Sequence, residues 1–130
     1  MAKNFTSIKK NAEFRLVYKT GKSVANRRLA VYLTENNLGV NRVGITVSRK
    51  VGKAVVRNRI RRRIKEALRL IFVDQVMNGF YFSRNNFDFV IVARNSAAQS
   101  SFSEIRNSLR SLFVQADKLL AKDLSDKTKT

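Results

Sequence analysis

Residues 49–65 read RKVGKAVVRNRIRRRIK. Nine of the seventeen positions are Lys or Arg and none is acidic, so the segment is a concentrated cationic block. Apolar residues run through it at helical spacing. Val56, Ile60, Ile64, Ala67 or Leu68, and Ile71 recur every three or four positions, the period of a helix with one buried face. They span an arc of roughly 120°, leaving Asn58, Arg61, Arg62, Lys65 and Arg69 on the opposite side and Arg57 and Arg63 at its flanks. Gly52 breaks the chain ahead of it, which places the helix at about 54–73. So many like charges on one helix repel one another. The segment therefore calls for an anionic polymer laid against it.

The whole chain carries the same bias. Its 130 residues suit one domain with a modest core, and 44% hydrophobic content excludes a disordered basic tail. Against 27 Lys and Arg stand 9 Asp and Glu, a formal charge of +18. This predicts a polyanionic partner, nucleic acid before an anionic membrane. Cys and His are both absent, so disulfides, thiolate nucleophiles, zinc fingers and imidazole acid–base chemistry are excluded. The acids are scattered, with none of the clustering a metallonuclease needs. Glu66 reads as an ion-pair partner for Arg62 or Arg69. No run approaches a membrane span, and MAKNFTSIKKN lacks the apolar core of a signal peptide, so a cytoplasmic protein is expected.

Outward from the basic block, residues 1–10 read as a loose basic arm. Asn11 caps a helix over about 12–20, with Phe14, Val17 and Tyr18 on one face and Gly21 suited to a left-handed stop. The residues alone assign Phe14 and Tyr18 to the core. Two strands follow, 28–35 and 42–48, and the Asn- and Gly-containing connection makes them a hairpin. Tyr32 falls off the main apolar face of the first. The second puts Gly44, Thr46 and Ser48 on a small, polar face suited to a ligand or to backbone. Phe80, Tyr81 and Phe82 lie in a loop, as packing, as a short element or as stacking surface. DFVIVAR (88–94) is a buried strand, able to lie parallel to an earlier one through a crossover. Ser101 and Glu104 form a capping box for a helix to about 122, and 124–130 is a frayed tail. The order α, β, β, α, β, α gives an α+β domain spanning 1–130, a two-layer sandwich with an about four-stranded mixed sheet.

SRKVGKAVVRNRIRRRIKEALR (48–69), centred on Arg57-Asn58-Arg59, closely resembles the signature of the protein subunit of bacterial ribonuclease P. KKNAEFRLVYKTGKSVANRRLAVY (9–32) and DFVIVAR resemble that family's first helix and strand and its last strand, so the likeness covers about 7–120. The resemblance implies a left-handed crossover through the basic helix, against the general right-handed rule. It implies an RNA-binding subunit that assists a catalytic RNA in Mg²⁺-dependent removal of the 5′ leader from precursor tRNA, with Mg²⁺ bound mainly by that RNA and no catalytic residue in this chain. Arg57, Asn58, Arg59, Arg61, Arg62 and Lys65 are then expected to face the catalytic RNA, and Phe14, Tyr18 and Tyr32 to line a cleft for the single-stranded leader. Lys9, Lys10, Arg27, Arg49, Lys50 and Lys53 add phosphate contacts. No membrane or DNA partner is expected. The 74–86 segment does not align with the family pattern, and Arg63 reads as a residue snorkelling at the edge of the apolar arc. Two competing readings are an unrelated basic RNA-binding or ribosomal protein and a self-sufficient nuclease, the latter disfavoured by the missing His.

Overall fold

The two strands expected to form a hairpin are not neighbours. In the computed structural model, which describes residues 5–73 and 86–128 with side chains to Lys122, Leu29–Glu35 (β3) and Arg42–Val47 (β4) flank Phe87–Ala93 (β5). β5 pairs antiparallel with β3, from Leu29↔Ala93 to Glu35↔Phe87, and parallel with β4, from Arg42↔Asp88 to Val47↔Ala93. The physical reason lies in β5 itself. Phe89, Val90 and Ile91 are all fully buried, and a strand apolar on both faces takes the centre of a sheet. The short connection read as closing a hairpin instead arches over the start of β5. The Asn36 N–H donates to the Asn86 carbonyl at 2.7 Å, and the Phe87 N–H donates to Asn41 Oδ1 at 3.0 Å. The expected parallel crossover is present, running from β4 through the basic helix Ala54–Val73 (α2) to β5.

Two strands were not foreseen. Lys22–Ala25 (β2) forms an antiparallel hairpin with β3. Its turn is organised by Asn26, whose Oδ1 accepts from the N–H groups of Arg28 and Leu29 at 3.1 and 3.0 Å. Thr6–Ser7 (β1) pairs in parallel with β4, so the supposed loose arm enters the sheet there. Phe5 and Ile8 are an odd number of positions apart and anchor opposite faces: Phe5 packs on the main core, and Ile8, 5% exposed, joins a smaller one. The result is the expected α+β domain with a mixed sheet, of five strands rather than about four, in the order β1-β4-β5-β3-β2.

The main core lies between one sheet face and two helices. α2 contributes Ile60, Ile64, Ala67, Leu68 and Ile71, the stripe read from its period, and Phe102–Thr128 (α3) contributes Ile105, Leu109, Leu112, Phe113 and Ala116. The rings of Phe72, Phe89 and Phe113 meet with centroids 5.1 to 6.1 Å apart, within the favourable range for aromatic pairs. The capping box holds: the Ser101 N–H donates to Glu104 at 2.9 Å and the Glu104 N–H to Ser101 Oγ at 3.2 Å. α3 continues to Thr128, through most of the stretch expected to fray, and 129–130 lie outside the described residues.

Asn11–Thr20 (α1) covers the other sheet face, packing its own Val17 against Ile8 and Val90. It begins one residue earlier than expected, with the Lys10 N–H donating to Glu13 Oε1 at 3.3 Å. Gly21 is not left-handed, having φ −81°. It is glycine because a Cβ there would stand 2.7 Å from the Leu33 carbonyl oxygen. Residues 1–4 of the arm, and 74–85 with Phe80, Tyr81 and Phe82, lie outside the described residues.

Candidate nucleic-acid interface

With one stripe of α2 buried, its cations have nowhere to go but outward and sideways. Asn58, Arg62, Lys65 and Arg69 are exposed, whereas Arg57, Arg59, Arg61 and Arg63 are half-buried. The stems of the latter cover apolar surface while their heads reach the rim. The Nε atoms of Arg57 and Arg59 are buried without a hydrogen-bond partner among the described residues. Arg63 does more than snorkel: its Nη1 donates to the Ser100 carbonyl at 2.6 Å, tying α2 to the start of α3. Glu66 takes Arg69 as its partner, at 2.6 and 3.1 Å, and that guanidinium holds the exposed Glu66 carboxyl below its ordinary pKa.

The sheet register gathers further cations near the N-terminus of α2. β4 and β5 finish where β3 begins, Val47 aligning with Ala93 and Ala93 with Leu29. Arg27, Arg49, Lys50 and Lys53 all lie beyond that end of the sheet and are exposed. Lys9 and Lys10 are exposed ahead of α1.

α1 and β4 build a cleft. The face of β4 read as small and polar receives the aromatic side of α1, so the rings sit at the surface of the second core rather than inside it. The Phe14 ring lies directly over Gly44, where any Cβ would overlap it. The Tyr18 hydroxyl is 3.2 Å from Thr46 Oγ1. Tyr18 is 38% exposed, and Phe14 and Tyr32 are half-buried. The cleft has a volume of about 530 Å³, with Phe14, Arg15, Tyr18, Thr46, Val47 and Arg61 in its walls. Tyr32 is not a wall residue. Its ring meets Tyr18 edge-on, centroids 4.9 Å apart, and buttresses it. Arg61, grouped by resemblance with the docking residues of α2, also faces this cleft. Arg15 was missed, although its place between Phe14 and Tyr18 on a short helix was a usable signal.

Gly44→Val is expected to cost about 1–3 kcal/mol through overpacking against Phe14. Urea unfolding measures it, and an unchanged midpoint would refute the close seating of that ring.

One arrangement gave no sequence signal. The Arg42 guanidinium binds Asp88 through Nε at 2.8 Å and Nη2 at 2.6 Å, and Glu13 through Nη1 at 2.5 Å. Asp88 is 4% exposed and also accepts from Asn36 Nδ2 at 2.7 Å. This clasp joins β4, β5 and α1. Its hydrogen bond holds Glu13 below the ordinary carboxylate value, and the two acids raise Arg42. Among the described residues no three potential metal ligands come together, and Glu13 and Asp88 are both taken up by Arg42. This carboxylate set does not fit a protein-held Mg²⁺ site. Among the described residues, no helix is long and apolar enough to cross a membrane.

Fold and surface define a class: a small α+β domain that carries a cationic helix beside an aromatic cleft. Within that class the chain belongs to the ribonuclease P protein family, whose model, described as Ribonuclease P, matches residues 2–117. The ribonuclease P protein component of Clostridium kluyveri is 49% identical over 110 residues, covering 84% of this chain and 92% of its own. That of Thermoanaerobacter sp. (strain X514) is 43% identical over 115 residues, covering 88% and 92%. Among solved structures, the Staphylococcus aureus RNase P protein aligns with a TM-score of 0.70 at 38% identity, over 85% of this chain and 94% of that one. The Thermotoga maritima protein gives 0.66 at 29% identity, over 82% and 94%.

Proposed function

We propose that this chain is the RNA-binding protein subunit of a cytoplasmic ribonuclease P, assisting a catalytic RNA in Mg²⁺-dependent removal of the 5′ leader from precursor tRNA. The observation that carries this reading is the adjacency of α2 and the cleft, with Arg61 on the helix also forming part of the cleft wall. Arg57, Asn58, Arg59, Arg62 and Lys65 dock the catalytic RNA, where guanidinium forks clamp phosphates in pairs. Phe14 and Tyr18 offer π-faces to unpaired leader bases, a contact tolerant of sequence, and Tyr32 holds Tyr18 in place. Lys9, Lys10, Arg27, Arg49, Lys50 and Lys53 neutralise flanking phosphates. Mg²⁺ belongs mainly to the RNA, which carries the cutting centre.

The test is reconstitution. Precursor tRNA is incubated at low Mg²⁺ with the protein, with the catalytic RNA, and with both. Efficient 5′ cleavage is expected only from the pair, and cleavage by the protein alone would overturn the reading.

A further inference from the structure

A second groove opens on the far side of Ile45. It has a volume of about 240 Å³, and its walls include Phe5, Ser7, Ile45, Lys65 and Arg69. Ile45 is also a wall of the aromatic cleft, so the two depressions meet across one residue of β4. We propose that this groove takes further nucleotides of the same single strand that enters the aromatic cleft, a proposal that rests on the leader-binding reading above.

Three observations support this occupant. The first is continuity, since a strand leaving Phe14 and Tyr18 past Ile45 passes straight into the groove. The second is cation spacing. Arg61 faces the cleft while Lys65 and Arg69 face the groove. At four-residue intervals their backbone positions advance about 6 Å per step along α2. That is close to the span of one nucleotide in an extended strand, so each cation meets a successive phosphate, and Lys65, grouped above with the docking residues, turns to the leader instead. The third is the aromatic. Phe5 packs one side on Phe72, centroids 5.2 Å apart, and presents the rest of its half-buried ring to the groove. Among the described residues, Glu66 is the one acid in the wall. Its carboxylate is neutralised by Arg69, whose guanidinium keeps further donors for a phosphate.

The same groove chemistry would accept a strand of the catalytic RNA, and leader length separates the two sources. Holoenzyme affinity is measured for mature tRNA and for precursors with leaders lengthened one nucleotide at a time, using wild type, Arg69→Gln, Phe5→Ala and Tyr18→Ala. Arg69 is exposed, so its variant is expected to fold normally; Phe5→Ala is checked by its unfolding midpoint. Wild-type affinity is expected to keep rising once the leader outgrows the aromatic cleft. Arg69→Gln and Phe5→Ala should lose that late gain, by roughly five- to 150-fold for one stacked base, and bind short leaders normally. Equal weakening at every length, mature tRNA included, assigns the groove to the catalytic RNA and overturns the proposal, as does no change at any length. If Tyr18→Ala shows no leader-dependent loss, the leader reading itself fails. A loss in Tyr18→Ala alone overturns only the groove.

Discussion

Arg42→Met is expected to destabilise the domain by about 3–5 kcal/mol, the cost of leaving one member of a buried ion pair uncompensated. Asp88 is 4% exposed at the centre of the sheet, and Arg42 supplies two of its hydrogen bonds, at 2.8 and 2.6 Å. Without them the carboxylate keeps, among the described residues, only Asn36. Pairing the substitution with Asp88→Asn removes the stranded charge and should recover much of the loss, which distinguishes charge burial from lost packing. Urea unfolding of both variants provides the measurement, and a single-variant loss under about 1 kcal/mol contradicts the mechanism. There is a second consequence. Arg42 also holds Glu13, one residue before Phe14 and five before Tyr18 on α1, so the variant should loosen the cleft as well as the fold. The Glu13 contribution has a defined pH window. Its folded pKa is depressed, so this stabilisation is complete above the ordinary value of 4.5 and is lost as the pH falls through the lower folded value. In Arg42→Met that acid dependence should shrink.

What the chain order revealed and what it concealed have different physical causes. The buried stripe of α2, its bounds, and the Ser101–Glu104 cap were legible because each is a local pattern of three or four residues. The pairing of strands was not. A short connection rich in Asn and Gly looks the same whether it closes a hairpin or arches over a third strand, and the decision rests with β5, more than forty residues on. β1 was hidden because a two-residue strand has no period, although Phe5 and Ile8 were signs of burial on both faces. For the site, composition marked α2, while the aromatic residues of α1 read as core until resemblance set them in a cleft. The structure places them between these readings, packed on a small second core and exposed at its surface. The Arg42 clasp joins residues 29 and 46 positions apart in sequence. No spacing rule reaches that far.

The largest functional effect expected is that of salt. If about 6–10 phosphates are neutralised, affinity for the catalytic RNA should fall roughly 10³- to 10⁵-fold between about 50 and 200 mM salt. The exposed and rim cations of α2, together with Lys9, Lys10, Arg49, Lys50 and Lys53, suffice in number for such a contact. Arg57→Ala and Arg59→Ala should each weaken assembly and lower the slope of log affinity against log salt by about 1 per lost phosphate. Tyr18→Ala acts differently, because stacking releases no counterions. It should cost about 1–3 kcal/mol only for substrates that bear a leader, and leave the salt slope of assembly unchanged. Tyr32→Ala should give a smaller loss of the same kind, since Tyr32 meets the Tyr18 ring and is not a cleft wall. Titrations at several salt concentrations, with and without a leader, separate these contributions. A Tyr18→Ala effect on assembly equal to that of Arg59→Ala would sink the division of labour between cleft and helix. Equal effects of Tyr18→Ala and Tyr32→Ala on leader binding would instead contradict the buttress geometry, because a residue acting through its neighbour leaves part of that neighbour's stacking surface in place.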